Sequence, residues 1–162
     1  MMDKLVTLEQ LKGLVGRFRS EGKRIAWTNG CFDIIHAGHV DYLERSKAYG
    51  DFLVVGLNSD ASVKQLKGEF RPIFSEQDRA KVLCALSAVD FVVIFAEKSP
   101  IKIIEQLQPD FYIKGGDYTI DTIDQAERQV VEGYGGKIVL LPMVAGVSSS
   151  IIVEKIKKLS EL

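Results

Sequence analysis

Two periods of hydrophobic and polar positions alternate along this chain, and each switch between them marks the passage from helix to strand or back. Leu8, Leu11, Val15 and Phe18 fall on one face of a 3.6-residue period, and Thr7 with Gln10 reads as a capping box, so an amphipathic helix is expected up to Gly22. The apolar run Ile25-Ala26-Trp27 then enters Asn29-Gly30 as a strand running into a loop. After that loop, HVDYLERSKAYG has helix-forming residues and a closing Gly50. The order repeats. FLVVGL (52–57) reads as strand, Ser75 caps a helix over EQDRAKVLCALSAV, FVVIF (91–95) reads as strand, and Ser99-Pro100 open a helix over IKIIEQLQ that Pro109 closes. DFYIKGG, DQAERQVVEGYGG, KIVLLP and the segment from Ser148 continue as strand, helix, strand and a last amphipathic helix.

The strands are apolar along their length, a pattern that belongs to a parallel sheet covered on both faces. Strict alternation of strands and helices predicts α/β architecture: a Rossmann-like, doubly wound, parallel five-stranded sheet with helices on both faces. One domain is expected over 1–162, an N-terminal helix in 1–22 and a core over 24–162. The one long irregular stretch is NSDASVKQLKGEFRPIF (58–74), which carries Lys64, Lys67 and Arg71.

Charge narrows the field. Lys+Arg number 21 against 22 Asp+Glu, a formal net charge of -1, so the chain lacks the global basic field that holds nucleic acid. Phosphate chemistry must then use local charge. The apolar runs fall well short of the roughly 20 residues of a membrane helix, and no membrane partner is expected. Two cysteines, Cys31 and Cys84, behind a start that has no basic and apolar leader, point to a reducing cytoplasmic setting without a disulfide.

Both histidines of the chain sit in TNGCFDIIHAGHVDYL, directly after the first strand. In a parallel sheet that position is the usual phosphate cradle. Asn29 and Gly30 open the loop, and Gly38 lets the following helix begin tightly, its free amides and positive dipole end aimed at an anion. His36 and His39, one helical turn apart, point to one side and are suited to donate hydrogen bonds to oxygens that gain charge in phosphoryl or nucleotidyl transfer. A zinc site from Cys31, His36 and His39 is the metal alternative; the spacing lacks a second cysteine pair and a helical HExxH arrangement, so no protein-held metal is expected.

Other polar clusters lie on the same expected edge. GVSSS places Ser148, Ser149 and Ser150 at the start of the last helix: one is explained by capping, and the others suit the outer phosphates of a nucleotide. Lys67, Gly68, Arg71 and Pro72 form either a solvated turn or a basic lid. Asn58, Ser59 and Asp60 follow the second strand, and Lys114, Gly115 and Asp117 leave the fourth. Arg79, judged alone, reads as a surface helix residue.

GCFDIIHAGH together with GVSSS resembles the paired motif of the cytidylyltransferase-like nucleotidyltransferases, over essentially the whole chain from Arg24 onward. Within that family TNGCFDIIHAGHVDYLERSKAYGD, GLNSDASVKQLKGEFRPI and IKGGDY are most similar to heptose 1-phosphate adenylyltransferases. Met143-Val144 stand where glycerol-3-phosphate cytidylyltransferases carry Arg-Thr, which weakens that reading. The resemblance implies AMP transfer from ATP to D-glycero-β-D-manno-heptose 1-phosphate for lipopolysaccharide core synthesis, with Mg2+ entering bound to ATP. It implies that His36 and His39 contact the α- and β-phosphates, amides of Gly30, Cys31 and Phe32 hold the triphosphate, and Ser148 and Ser149 hold pyrophosphate. Lys67 and Arg79 would neutralise the transition state, with Asp33, Arg71, Lys114 and Asp117 as weaker contacts to sugar phosphate or nucleotide. A stand-alone enzyme with a separate sugar kinase upstream is expected, with a homodimer as one assembly the family uses. Two alternatives remain: transfer to glycerol 3-phosphate or another small alcohol phosphate, and a nucleotide-binding regulatory module without turnover.

Overall fold

Strand order, more than strand number, positions the functional edge. A computed structural model of the chain describes residues 2–161. Five strands, β1 (Ile25–Gly30), β2 (Phe52–Asn58), β3 (Phe91–Phe95), β4 (Phe111–Gly115) and β5 (Lys137–Leu141), form one sheet in the order β3-β2-β1-β4-β5. Every pairing is parallel, with Ala26 opposite both Leu53 and Phe111. The order reverses between β1 and β4, so a crevice opens there at the carboxyl ends, where ligands enter such sheets.

The helices are α1 (Leu8–Ser20), α2 (Ala37–Lys47), α3 (Asp60–Lys67), α4 (Glu76–Ala85), α5 (Ile101–Leu107), α6 (Gln125–Gly133) and α7 (Ser149–Leu159). Successive strand residues feed opposite faces. On one face Ile25, Trp27, Val54 and Tyr112 pack against Leu11, Val15 and Phe18 of α1, Ile104 of α5 and Val131 of α6. On the other, Ala26, Leu53, Val55 and Ile113 pack against Tyr42 and Leu43 of α2 and Leu83 of α4. Trp27 is fully buried, and the ring leaves room for no side chain at Gly56, where a Cβ would lie 2.4 Å from Trp27 Cζ2. The doubly wound five-stranded sheet expected from the sequence is present.

Three local expectations need correction. The stretch 58–74 is not irregular throughout: Ser59 accepts from the Ser62 amide and starts α3, and Gly68 at φ 100° ends it. Only Ser62 and Val63 of α3 are buried, so the helix lacks an apolar stripe that would reveal it. Second, α4 stops at Ala85, because Leu86 turns extended and Lys4 Nζ donates to the carbonyls of Leu86 (3.1 Å) and Val89 (2.6 Å). Third, Ser99 does not cap α5; Pro100 stands at that position with no side-chain cap, and the Ser99 hydroxyl turns to Glu127 at 3.3 Å.

Candidate active site

The histidine loop builds the start of α2. His36 is the N-cap: its Nδ1 accepts from the Gly38 amide at 3.1 Å, while His39 Nδ1 accepts from the His36 amide at 3.3 Å. A side chain at position 38 would place a Cβ 2.9 Å from His36 Cε1, so only glycine lets the ring fold over the helix start. The two rings lie 3.9 Å apart between centroids.

Because both Nδ1 atoms accept, both neutral imidazoles carry their proton on Nε2. Burial, helped by the charges of His36 and Lys67, pushes the His39 pKa down to about 4. Burial also lowers that of His36. The pair therefore presents two neutral N–H donors, and His36 Nε2 is buried with no hydrogen-bond partner among the described residues. Both Nδ1 atoms are taken by amides, and no group of three or more His, Cys, Asp or Glu side chains that could hold a metal ion exists among the described residues.

His39 opens onto a polar cavity of about 170 Å³ at the carboxyl ends of β1 and β4. Asn29, Gly30, Cys31, Phe32, Asp33, Tyr42, Lys67, Gly115, Met143 and Ser149 complete its lining. The two ends of the chain meet here: Ser149 Oγ donates to the Asp33 carbonyl at 2.8 Å, which sets the N-terminus of α7 beside the histidine loop. Ser148 is the capping serine, accepting from the Ile151 amide at 3.1 Å, and Ser150 is exposed. Gly115 keeps the crevice narrow, since a Cβ there would lie 2.7 Å from Tyr42 Cε2 and 2.9 Å from Met143 Sδ. A larger groove of about 640 Å³ adjoins, between Phe32, Ile34 and Ile35 and residues Phe74 and Val82, but it is walled mainly by apolar side chains.

Several expected ligand contacts are taken up by the protein. Arg79 is neither a surface residue nor free to neutralise a ligand. It is 2% exposed, and donates to the carbonyls of Phe74, Cys31 and Asn58 and to Asp60 Oδ1 at 3.0, 2.6, 2.9 and 2.7 Å. Asp60 is thereby occupied, and Asn58 is buried behind the strand end. Asp33 does not face a substrate either: its wholly buried carboxylate accepts from Arg71 Nε (2.8 Å) and the amides of Ile73 (2.8 Å) and Phe74 (3.1 Å). Burial works against that charge, yet these hydrogen bonds hold its pKa below the ordinary carboxylate value.

Lys114 is ion-paired to Glu127 at 2.9 Å. Asp117 is exposed in the loop after β4 and lies outside the cavity lining. Lys67, at the end of α3, keeps an exposed side chain and reaches the cavity. Burial raises the Cys31 thiol, which leaves it neutral. Tyr42, Met143 and Glu127 belong to the site or its support without a sequence signature of their own. Tyr42 makes a 2.6 Å hydrogen bond with Thr28 Oγ1 and donates to the Ile113 carbonyl at 3.2 Å, while Glu127 accepts from Tyr112 at 2.6 Å. Only their tertiary neighbours reveal them.

The His39 ring, the serine that opens α7 and glycines at the ends of β1 and β4 thus line one cavity. The chain belongs to the cytidylyltransferase-like family, whose profile matches residues 27–155. It is 48% identical over 155 residues to the bifunctional protein HldE of Geobacter sulfurreducens and 50% identical over 154 residues to that of Geotalea uraniireducens, matches that cover 96% and 95% of this chain. The chain spans 31% of the length of each of these relatives. Among solved structures it is similar to the lipopolysaccharide core biosynthesis protein of Thermoplasma volcanium, with 31% identity and a TM-score of 0.61 over 76% of this chain and 98% of that one. The pantoate-beta-alanine ligase of Francisella tularensis shares the fold at 13% identity, with a TM-score of 0.62 over 98% of this chain and 78% of that one. No helix among the described residues is long and apolar enough to cross a membrane.

Proposed function

We propose that this chain is a sugar-phosphate adenylyltransferase that transfers AMP from ATP to D-glycero-β-D-manno-heptose 1-phosphate, releasing pyrophosphate and forming ADP-heptose for lipopolysaccharide core synthesis. The observation that carries the reading is the meeting of His39 and Ser149 in one polar cavity, tied by the 2.8 Å bond from Ser149 to Asp33. The family membership and the 48–50% identity to HldE proteins support the choice of reaction and acceptor.

The attacking phosphate is already ionised near neutral pH, so the residues need not remove a proton. Their work is alignment and charge stabilisation. Amides of Gly30 to Phe32 and the start of α2 receive the triphosphate, and the His36 and His39 Nε2–H groups donate to oxygens that gain charge. The N-terminus of α7 holds the departing pyrophosphate, and Lys67 adds positive charge. Histidines held neutral keep these donors available without repelling the amides of the helix start. Among the described residues no carboxylate is free in the cavity, because Asp33 is fully engaged, so the residues fit Mg2+ carried by ATP phosphates and water. Such an ion supplies charge neutralisation to the phosphates, and the chain's own residues bind and orient them.

Pyrophosphate release measured with ATP or CTP against heptose 1-phosphate or glycerol 3-phosphate tests the reading. Turnover is expected with ATP and heptose 1-phosphate. Preference for CTP and glycerol 3-phosphate would overturn it, as would tight ATP binding without pyrophosphate release from any sugar phosphate.

A further inference from the structure

Trp27 is fully buried, and its indole N–H, a donor without acceptor capacity, reaches Asn29 Oδ1 at 3.1 Å. That contact fixes which way the side-chain amide of Asn29 faces, because only its oxygen end can receive an N–H. Tyr112, also fully buried, approaches the same oxygen at 3.2 Å and shares its one hydroxyl proton with Glu127 at 2.6 Å. Gly56 lies opposite Asn29 in the pairing of β1 with β2. A Cβ there would come 3.1 Å from Asn29 Cβ as well as into the Trp27 ring, so the two side chains are packed rather than loose.

With Oδ1 committed, the donor end is left. Asn29 Nδ2 has no hydrogen-bond partner among the described residues, and it is not one of their two sealed, unmatched side-chain atoms, which are His36 Nε2 and Arg71 Nη2. Asn29 itself lines the polar cavity, so its two N–H groups open there. Side chains alternate along a strand, which puts Asn29 with Trp27 on the face of the sheet that carries α1, α5 and α6. His39 arrives from α2 on the opposite face. A group held in this cavity is therefore met by neutral donors from both faces.

Position selects the group. β1 is the middle strand of the five, and Asn29 and Gly30 close it. In the transfer proposed above, the α-phosphoryl group of ATP stays in the middle, with the attacking oxygen on one side and the departing pyrophosphate on the other. Resting on the adenylyltransferase reading, we infer that Asn29 Nδ2 donates to a non-bridging oxygen of the α-phosphoryl group, and that Trp27 is the positioning residue that keeps the donor end turned toward it. The acceptor oxygen bonds to the α-phosphorus as the bond to the bridging oxygen breaks, and the electron pair leaves on pyrophosphate. Charge shifts over the non-bridging oxygens during that step, and a fixed neutral donor stabilises it. The amide gives up no proton.

Asn29→Ala is expected to lower kcat for ADP-heptose formation about 10²–10³-fold, with the KM values for ATP and heptose 1-phosphate within about threefold of the parent. Trp27→Phe keeps an aromatic ring in the core and removes the indole N–H, so Asn29 is free to turn. Its kcat should fall about threefold to tenfold with KM unchanged, a split that a merely structural residue would not produce. The unaltered protein gives an independent readout: the Asn29 side-chain NH2 resonances should shift when a non-hydrolysable ATP analogue is titrated in. Parent-like kcat in folded Asn29→Ala overturns the inference, as does a change confined to the KM for ATP or a pair of NH2 resonances that ignores the analogue. Parent-like kcat in Trp27→Phe overturns the positioning role. If no sugar phosphate is turned over, the adenylyltransferase reading fails alone, and the resonance shift still decides whether Asn29 meets the nucleotide.

Discussion

Arg71 and Arg79 stand on one segment, and each is paired with an aspartate, at 2.8 Å to Asp33 and 2.7 Å to Asp60. Their surroundings differ. Arg79, with a side chain 1% exposed, uses its remaining donors on three backbone carbonyls, so it ties α4 to the ends of β1 and β2. Arg71 binds Asp33 through Nε and keeps a buried Nη2 unmatched. A guanidinium whose donors all end on protein oxygens is locked into the frame, and one with a donor left over is only partly satisfied by it. The same division separates Ser148, Asp33 and Lys114, which are occupied, from the two histidine Nε2–H groups.

The strongest test of that division is Arg79→Ala. It strands three carbonyls and the Asp60 carboxylate, and a stability loss of about 3–5 kcal/mol is expected in urea or thermal unfolding. A variant that melts like the parent would dissolve the contrast between the two arginines.

Next comes acid. The folded protein holds the His39 pKa near 4, while the unfolded chain takes up that proton near 6.5. The unfolded state therefore binds more protons across that window, and stability falls as the pH drops from 6.5 to 4. The loss is on the order of 2 kcal/mol once partial exposure of the ring is allowed for. His39→Asn should flatten this part of the profile; an unchanged slope would show that His39 is not held neutral by the fold.

Asp33→Asn should cost about 1–2 kcal/mol, because a neutral amide replaces the carboxylate that accepts three hydrogen bonds. In the parent that contribution is present above the ordinary carboxyl pKa and is lost as the pH falls through the depressed one. Calorimetry at pH 7 and pH 3 sharpens the point, since the gap between variant and parent should narrow at the lower pH. The smallest effect belongs to Ser149→Ala, about 0.5–1.5 kcal/mol for one hydrogen bond, with weaker ATP binding as α7 loosens from the histidine loop. Equal stability and equal ATP affinity would remove the tie between the chain's two ends.

Much of this was legible before any coordinates. The strands are continuous apolar runs bounded by glycine, proline and charge, and burial on both faces of a parallel sheet produces that pattern. The histidine loop was legible because HAGH after a strand leaves few alternatives. Helix α3 escaped because two buried residues make no periodic stripe, although Ser59, Asp60, Lys67 and Gly68 carry its start and stop signals. The roles of Asp33 and Arg79 were hidden for a different reason. Charge identifies a residue as able to bind an anion or a cation, but which donors remain free depends on carbonyls brought from distant strand ends, such as Cys31 and Asn58.

Single-turnover pyrophosphate release from ATP and heptose 1-phosphate probes the account at its centre, measured on His36→Asn, which keeps an oxygen to cap α2, and on His39→Ala. Both rates are predicted to fall about 10²–10³-fold while the proteins remain folded, as expected when one preorganised donor to a charging oxygen is removed. Rates near those of the parent in both variants would contradict the claim that these imidazoles and the serine helix act on one polyphosphate.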